Sequence, residues 1–349
     1  MPAGPTSPDG PEPTPMTSER GRTRRCFLCA AAMHAPSARR LTYPDGRTRG
    51  FPIACASCGV LTERDADPDR SWRDLAGRLA GASFRPDPDA PYGLDIYTLR
   101  SAATRLGRGL RPLGAEDRAA LLAPHAPRAA QAVLYDLAGA GGRPVSLGLI
   151  GRPADLDGVL AGLAPHAAWT DDVVVLVDGA ASSPRAVPVA GFADGAVRVA
   201  ARPLAGDFAA QRNALQALAR HAWMLQLDAD ETLAPATGRM VPALAALAQD
   251  GEVVSIGLPR RNRVDGILSD VYPDVQYRLN RTSIRYAGRV HERPVLDGGW
   301  PRSLIALTGA IEHRLSGAHV RSRSRTYEAL DPGRGRIEEE EALLRPYEE

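Results

Sequence analysis

The fold is decided by residues 208–233, FAAQRNALQALARHAWMLQLDADETL. The first part carries apolar side chains at helical spacing, such as Phe208 and Leu215, and predicts a helix that begins near Asp207. The second part, AWMLQLDADE, is apolar up to Asp228 and predicts a buried strand. A helix followed directly by a buried strand is typical of an α/β protein.

The preceding residues repeat this pattern. Apolar strands are predicted for VSLGLI (145–150), DDVVVLVDG (171–179) and GAVRVAARP (195–203), with a helix over 154–167. Strands that alternate with helices indicate a mostly parallel, Rossmann-like sheet, in which ligands bind beyond the carboxyl ends of the strands. Asp178 and Asp228 are predicted to lie at such ends.

Carboxylates and basic side chains then suggest a site. Because strand side chains alternate, Asp228 and Asp230 can share one side while Ala229 turns away. Two hard oxygen ligands suit Mg²⁺ or Mn²⁺ bound partly through phosphates. Arg212 and Asn213 fall in the first turns of the predicted helix, where the free backbone N–H groups and the guanidinium favour a phosphate.

The stretch over 208–233 resembles family 2 glycosyltransferases, in which an Arg-Asn pair, a Trp-containing strand and Asp-Ala-Asp-Glu follow in this order. YPDVQYRLNRTSIRYAGRVHERP (272–294) and IEHRLSG (311–317) resemble later blocks of the same family. The resembling branch includes lipopolysaccharide-core sugar transferases and enzymes that glycosylate peptides. Together the blocks cover about residues 145–317, and their joint order is more specific than any single motif.

The resemblance implies a GT-A fold, a nucleoside-diphosphate sugar donor, a divalent cation, inversion at the anomeric carbon, and a glycan, lipid-linked or peptide acceptor. Two residues are implied to serve the metal and diphosphate, Asp228 and Asp230. Asp178 is implied to contact the nucleoside, and His291 the phosphates.

Further residues are candidates from the residue pattern. Asp274, Gln276 and Arg278 alternate along a probable strand, which predicts one shared polar face. Inversion needs a base that takes the acceptor's proton. Glu292 is the first candidate because it follows His291 in a block predicted to close over the donor. Asp274 is the second, and Glu231 is interpreted as structural.

Two loops depart from the family's pattern, and they keep two alternatives open. Gly151-Arg152-Pro153 stands where the branch has Asn-Glu, and no second acid follows Asp178. A zinc-ribbon adaptor with a degenerate GT-A domain is favoured by these changes, whereas the Asp-Ala-Asp-Glu and His-Glu blocks oppose it. A GT-A-fold nucleotidyltransferase would prefer a Gly-rich loop after the first strand, and GLIGRPADL matches that loop poorly.

All four cysteines lie near the N-terminus in two Cys-x-x-Cys pairs, Cys26/Cys29 and Cys55/Cys58. The 25 residues between the pairs are long enough for a hairpin, which LTYPDGRTRGFPIA (41–54) predicts around a Pro-Asp-Gly turn. This spacing predicts a structural Zn²⁺ held by four thiolates; redox dithiols and unliganded cysteines are the alternatives. Zinc ribbons bind proteins or nucleic acids or stabilise a fold, and the sequence does not choose among these roles.

Composition bounds the remaining interpretation. The formal net charge of +2 predicts no general affinity for nucleic acid or anionic membranes. No apolar run has the roughly 20 residues that a transmembrane helix needs, and no signal peptide is evident, so we predict a cytoplasmic protein. We predict five segments: a disordered tail (1–22), a zinc-ribbon-like module (23–64), a helical or linker region without assigned function (65–142), the GT-A domain (143–317) and a C-terminal helical tail (318–349).

Overall fold

The computed structural model describes residues 14–15, 24–247, 253–333, 335 and 338–348. It divides the chain into two compact units. Unit 1 comprises Met1–Ala140, Leu304–Thr308 and Glu348–Glu349, and unit 2 comprises Gly141–Ser303 and Gly309–Tyr347. The predicted disordered tail falls outside the described residues except for Thr14–Pro15, which form a short strand.

Unit 1 contains short strands and helices. Its strands are β1 (Thr14–Pro15), β2 (Met33–Pro36), β3 (Arg40–Thr42), β4 (Thr48–Gly50), β5 (Ile53–Cys55), β6 (Leu61–Thr62), β7 (Ser83–Phe84), β8 (Tyr92–Gly93), β9 (Arg108–Pro112) and β10 (Ala132–Asp136). Its helices are α1 (Pro68–Leu79), α2 (Ile96–Thr104) and α3 (Ala115–Ala120). β3 and β4 pair antiparallel, which confirms the predicted hairpin.

The cysteine segment and the region after it share one core. β8 extends the sheet β1-β2-β5-β6-β8, and the four cysteines belong to the same buried cluster as Leu75, Phe84 and Leu99. Leu307, from late in the chain, packs against this cluster, and its backbone N–H donates to Thr104 Oγ1 at 2.7 Å. The region that the sequence analysis left without a function therefore builds the core around the cysteines.

Unit 2 contains the remaining elements. Its strands are β11 (Ser146–Gly151), β12 (Val173–Asp178), β13 (Ser182–Ala186), β14 (Val197–Arg202), β15 (Trp223–Asp228), β16 (Glu231–Leu233), β17 (Ser255–Val264), β18 (Ile267–Leu268), β19 (Asp274–Arg281), β20 (Arg285–Ala287), β21 (Arg293–Val295) and β23 (Ile311–Leu315); β22 (Ser303–Ile305) spans the boundary between the units. Its helices are α4 (Leu156–Ala161), α5 (Phe208–Ala217), α6 (Pro235–Ala246), α7 (Gly317–Leu330) and α8 (Glu338–Leu344). Short 3₁₀ helices cover Pro153–Asp155, Ala164–Ala168 and Trp300–Arg302.

Polar side chains set the starts of several helices. Asp67, Asp95, Asp207 and Ser316 each accept a hydrogen bond from the backbone N–H three residues on, at the beginnings of α1, α2, α5 and α7. Such caps satisfy N–H groups that the helix itself leaves without a partner. The cap at Asp207 fixes where α5 starts, and Leu215 of this helix packs on Val174 and Met224 of the sheet.

The largest sheet is mixed, which makes the prediction of a mostly parallel sheet wrong for its second half. Its main path runs β13-β14-β12-β11-β15-β19-β17-β23-β16. The joins among β14, β12, β11 and β15 are parallel, whereas β19 is antiparallel to both β15 and β17. The α/β architecture with a large central sheet is thus confirmed, and it is consistent with a GT-A-like fold. A strand over Asp274–Arg278 was predicted and corresponds to β19, but its antiparallel direction was not, because no helix separates β19 from β17 to signal the direction.

Within the described part of the chain, no helix combines the length and the apolar character needed to cross a membrane.

Candidate active site and four-cysteine cluster

The candidate site lies at the carboxyl edge of the parallel strands. β12 ends at Asp178 and β15 at Asp228, on either side of β11. Ala229 donates its N–H to the carbonyl of Ile150 at 2.9 Å. Gly151 permits this approach, since a Cβ there would lie 2.9 Å from that of Ala229. Asp178 accepts a hydrogen bond from the Leu204 N–H at 2.8 Å, so its carboxylate closes the turn after β14.

Asp228 is clamped by two arginines. Arg212 Nη2 donates to its Oδ1 and Arg278 Nη2 to its Oδ2, both at 2.8 Å. Glu231 Oε2 accepts from the Asp228 backbone N–H at 3.0 Å. Burial, the largest cause, raises the pKa of Asp228 to about 8. Arg212 opposes this shift, and the carboxylates of Glu231, Glu292 and Asp230 add to it.

Arg212 is itself buried, with 2% of its side chain exposed. Besides Asp228, its guanidinium donates to Glu292 Oε1 and to Gln226 Oε1. In this arrangement Arg212 positions carboxylates and does not face solvent, where a phosphate would approach. The next residue, Asn213, exchanges two hydrogen bonds with the backbone of Tyr286 and so joins α5 to β20.

The His-Glu pair approaches the same arginines. Glu292 is 10% exposed and lies 3.7 Å from Arg278 Nη1 in addition to its bond with Arg212. His291 has a positive φ of 51°, and its ring stacks edge-on against Tyr327 with 5.1 Å between centroids. The structure therefore brings Glu292 to the Asp228 clamp and places His291 against a helix that the sequence analysis left without chemistry.

Asp274 is held in a tighter set of bonds. Its Oδ2 accepts from Arg260 Nε and from Asn262 Nδ2, both at 3.0 Å, and its Oδ1 accepts from Gln276 Nε2 at 2.6 Å. Burial raises the pKa of Asp274, but Arg260 and Asn262 outweigh burial and the net pKa is lowered. A carboxylate of lowered pKa, with both oxygens occupied, is a weak proton acceptor. This geometry counts against the prediction of Asp274 as a candidate base; Glu292 is itself bonded to Arg212.

Asp230 is the more accessible acid of the pair, with 45% of its side chain exposed. His313 Nε2 lies 3.3 Å from its Oδ2, and His313 Nδ1 lies 2.7 Å from Asn262 Oδ1. The strand pairing explains the contact between His313 and Asp230, because Glu231 of β16, the residue after Asp230, lies opposite His313 of β23. His313 was not among the predicted site residues; its signal in the sequence is the histidine of the block IEHRLSG.

A divalent cation fits part of this donor set. The Asp230 carboxylate and the His313 imidazole are adjacent oxygen and nitrogen ligands, whereas both oxygens of Asp228 are bonded to arginines.

The four cysteines form a second, separate cluster. Cys26 Sγ lies 3.7 Å from Cys58 Sγ, and Cys29 Sγ lies 3.6 Å from Cys55 Sγ. All four sulfurs lie within 4.8 Å of one another, and all four residues are buried. Tetrahedral zinc with Zn–S bonds of about 2.3 Å implies sulfur–sulfur separations of about 3.8 Å. The cluster therefore fits zinc binding.

The knuckle turns support the same fit. The Gly59 N–H donates to the Cys55 carbonyl at 2.9 Å, and Gly59 has a φ of +83°, a left-handed conformation that glycine adopts readily. Ala30 makes the equivalent bond to Cys26 at 2.8 Å with a φ of 64°. In the described part of the chain, no other group of three or more His, Cys, Asp or Glu side chains lies this close together.

Comparisons with known proteins give distant likenesses only. No protein-family model and no curated protein matches the chain. Among solved structures, similar ones are Staphylococcus aureus TarS 1-349, the same fragment in complex with UDP, and TarS. Identities are 10–11%, TM-scores 0.31–0.32, and 54–58% of this chain is covered. The chain spans 65% of the fragment and 42% of the longer TarS structure. At this distance, the site rests on this chain's own geometry.

Proposed function

We propose that unit 2 is a metal-dependent, inverting glycosyltransferase domain that moves a sugar from a nucleoside-diphosphate sugar to a glycan, lipid-linked or peptide acceptor. One observation carries the proposal. Three blocks of the sequence, 208–233, 272–294 and 311–317, meet in one bonded cluster at the carboxyl edge of the parallel strands, through Arg212 with Glu292 and Asp230 with His313. These are the segments that resemble the family, and this edge is where ligands bind in such sheets.

The residues would divide the work as follows. Asp230, with His313 beside it, would hold Mg²⁺ or Mn²⁺, which would supply positive charge next to a departing diphosphate. Arg212 and Arg278 orient Asp228, and Arg212 orients Glu292. Glu292 would take the proton of the acceptor hydroxyl. Asp178, Asn213, Gln276 and His291 remain predicted donor contacts.

The test is binding of UDP, or of another nucleoside diphosphate, by calorimetry with and without Mn²⁺. Asp230→Asn should fold normally and lose the metal-dependent part of the affinity, since it removes a charged ligand. Asp194→Asn, which changes an exposed carboxylate of the same unit, is the control. Failure of every nucleoside diphosphate to bind the wild type would reject the proposal. Undiminished metal-dependent binding by Asp230→Asn would reject the metal assignment alone.

A second candidate is a binding domain that has lost transfer activity. The observation that favours it is the double arginine clamp, which occupies both oxygens of Asp228. Such a protein would bind a nucleoside diphosphate without hydrolysing or transferring the sugar of any donor. Release of nucleoside diphosphate from a nucleotide sugar would exclude this candidate.

For unit 1, we propose a structural Zn²⁺ bound by Cys26, Cys29, Cys55 and Cys58. The cysteines are buried in the core of the unit, so the ion would stabilise the packing of the two knuckles on the surrounding helices and strands.

A further inference from the structure

Helix α7 starts beside the proposed metal ligands. β23 carries His313, and the chain enters α7 two residues after Leu315. The Arg314 N–H donates to the Asp230 carbonyl at 3.2 Å, and Ser316 caps the helix by accepting from the His319 N–H at 3.1 Å. The first turn of α7 is therefore tied to the Asp230 segment.

One face of α7 carries His319, Arg323 and Tyr327, each four residues from the last, a spacing that aligns side chains along a helix. Tyr327 fixes the direction of this face. Its ring stacks edge-on against Phe208, at the start of α5, and against His291, with centroid separations of 6.1 and 5.1 Å. The stripe formed by His319, Arg323 and Tyr327 therefore faces the candidate active site.

The basic side chains of this stripe differ from the two arginines that clamp Asp228 in their ionic partners. Arg212 and Arg278 are buried and bonded to carboxylates, whereas Arg323 forms no ion pair among the described residues and is partly exposed. Its guanidinium lies over the Tyr327 ring, 5.4 Å from the centroid. His319 is exposed one turn closer to Asp230. The stripe therefore offers hydrogen-bond donors that are not already paired with the protein's own carboxylates.

Arg152, in the loop after β11, adds a third basic group. It pairs with Asp155, yet 78% of its side chain is exposed. Burial, Arg323, His313 and Arg152 lower the pKa of His319, whereas Asp230 raises it. The loop that carries Arg152 lies beside the Asp230 segment, because Gly151 packs against Ala229 and the Ala229 N–H donates to the Ile150 carbonyl at 2.9 Å.

We infer that His319 and Arg323 of α7, with Arg152 nearby, form an anion-binding site beside Asp230 that holds the diphosphate of the donor. The inference rests on the proposed function and assigns its phosphate contacts to α7 instead of to the buried Arg212. An arginine is suited to the task because its planar fork matches phosphate oxygens. A diphosphate would lie between these cations and a metal at Asp230, so its charge would be balanced from both sides.

The experiment compares Arg323→Gln and His319→Gln with Arg325→Gln, which changes an exposed arginine on the same helix but off the stripe. Calorimetry with UDP, UMP and inorganic pyrophosphate, all with Mn²⁺, gives the affinities. We expect Arg323→Gln to weaken UDP and pyrophosphate about tenfold to a hundredfold, as for a lost hydrogen bond to a charged group. UMP should weaken less, and Arg325→Gln should match the wild type.

The outcomes separate the two proposals. If the wild type binds no nucleoside diphosphate, the proposed function fails, and this inference fails with it. If the wild type binds UDP in a metal-dependent way and Arg323→Gln binds it equally well, only the inference is wrong. Unchanged UDP affinity with weakened binding of a phosphate-bearing acceptor would also overturn it. Arg323→Lys, which keeps the charge without the fork, should lie between wild type and Arg323→Gln.

Discussion

Replacing Arg260 with methionine tests whether buried charge holds the candidate site together. Arg260 is 10% exposed and bridges Glu231, which is fully buried, and Asp274, which is 14% exposed. Methionine keeps most of the volume but leaves both carboxylates without their main partner. Breaking a buried pair in this way typically costs about 3–5 kcal/mol. Remaining bonds from Asn262 to Asp274 and the approach of Arg278 to Glu231 favour the lower end, about 3 kcal/mol.

The same strand supplies a matched control. Arg263 also pairs with a carboxylate, Glu312, but the two side chains are 40% and 24% exposed. An exposed pair of this kind contributes about 0–1 kcal/mol, so Arg263→Met should cost far less than Arg260→Met. Urea unfolding followed by tryptophan fluorescence gives the free energies, since three of the four tryptophans (Trp169, Trp223 and Trp300) lie in unit 2.

The pH dependence provides a second criterion. Because Arg260 and Asn262 lower the pKa of Asp274 below its unfolded value of about 3.9, ionised Asp274 stabilises the fold at neutral pH. This contribution is lost as the pH falls below about 4 towards the lowered folded pKa. The deficit of Arg260→Met should therefore be largest near neutral pH and shrink in acid. Equal losses for the two arginine variants at pH 7 would refute the reasoning.

Three further predictions concern zinc, the base and a turn. Purified protein should contain about one zinc per chain by metal analysis, and Cys55→Ser should remove it while UDP affinity survives; zinc-free wild type purified without chelator would contradict this. Glu292→Gln should slow transfer about 100- to 10,000-fold with donor affinity near wild type; normal transfer by Glu292→Gln combined with loss in Asp274→Asn would move the base to Asp274. Gly309→Ala should destabilise unit 2 by about 1–3 kcal/mol, because φ is +70° and a Cβ would lie 2.2 Å from Thr237 Oγ1. An unchanged thermal midpoint would contradict the prediction that this turn requires glycine.

The sequence predicts the parallel half of the large sheet because its strands are short apolar runs that end in Asp178 and Asp228. It does not predict β17, whose residues SIGLPRRNRV include Pro259. Proline lacks a backbone N–H and argues against a central strand, yet β17 lies between β19 and β23. Arg260, which organises Glu231 and Asp274, was missed together with its strand.

The sequence indicated which residues lie at the candidate site better than which contacts these residues make. Asp228, Asp230 and Glu292 follow from motif order, but the burial of Arg212 depends on partners up to 80 residues away. The sequence assigned α7 no chemistry, because a run of arginines on a C-terminal helix has the same pattern as a solvated face. Only the stacking of Tyr327 on Phe208 and His291 shows which side of that helix faces the site.

The discontinuity of unit 1 has a consequence for biosynthesis. Its core includes Leu307, which the ribosome adds only after the whole of Gly141–Ser303. At about 5–20 residues per second, this interval lasts roughly 10–30 s. During that time the nascent cysteine-containing segment lacks one of its packing partners. A zinc ion bound early by the four cysteines would hold the two pairs together until translation delivers Leu304–Thr308.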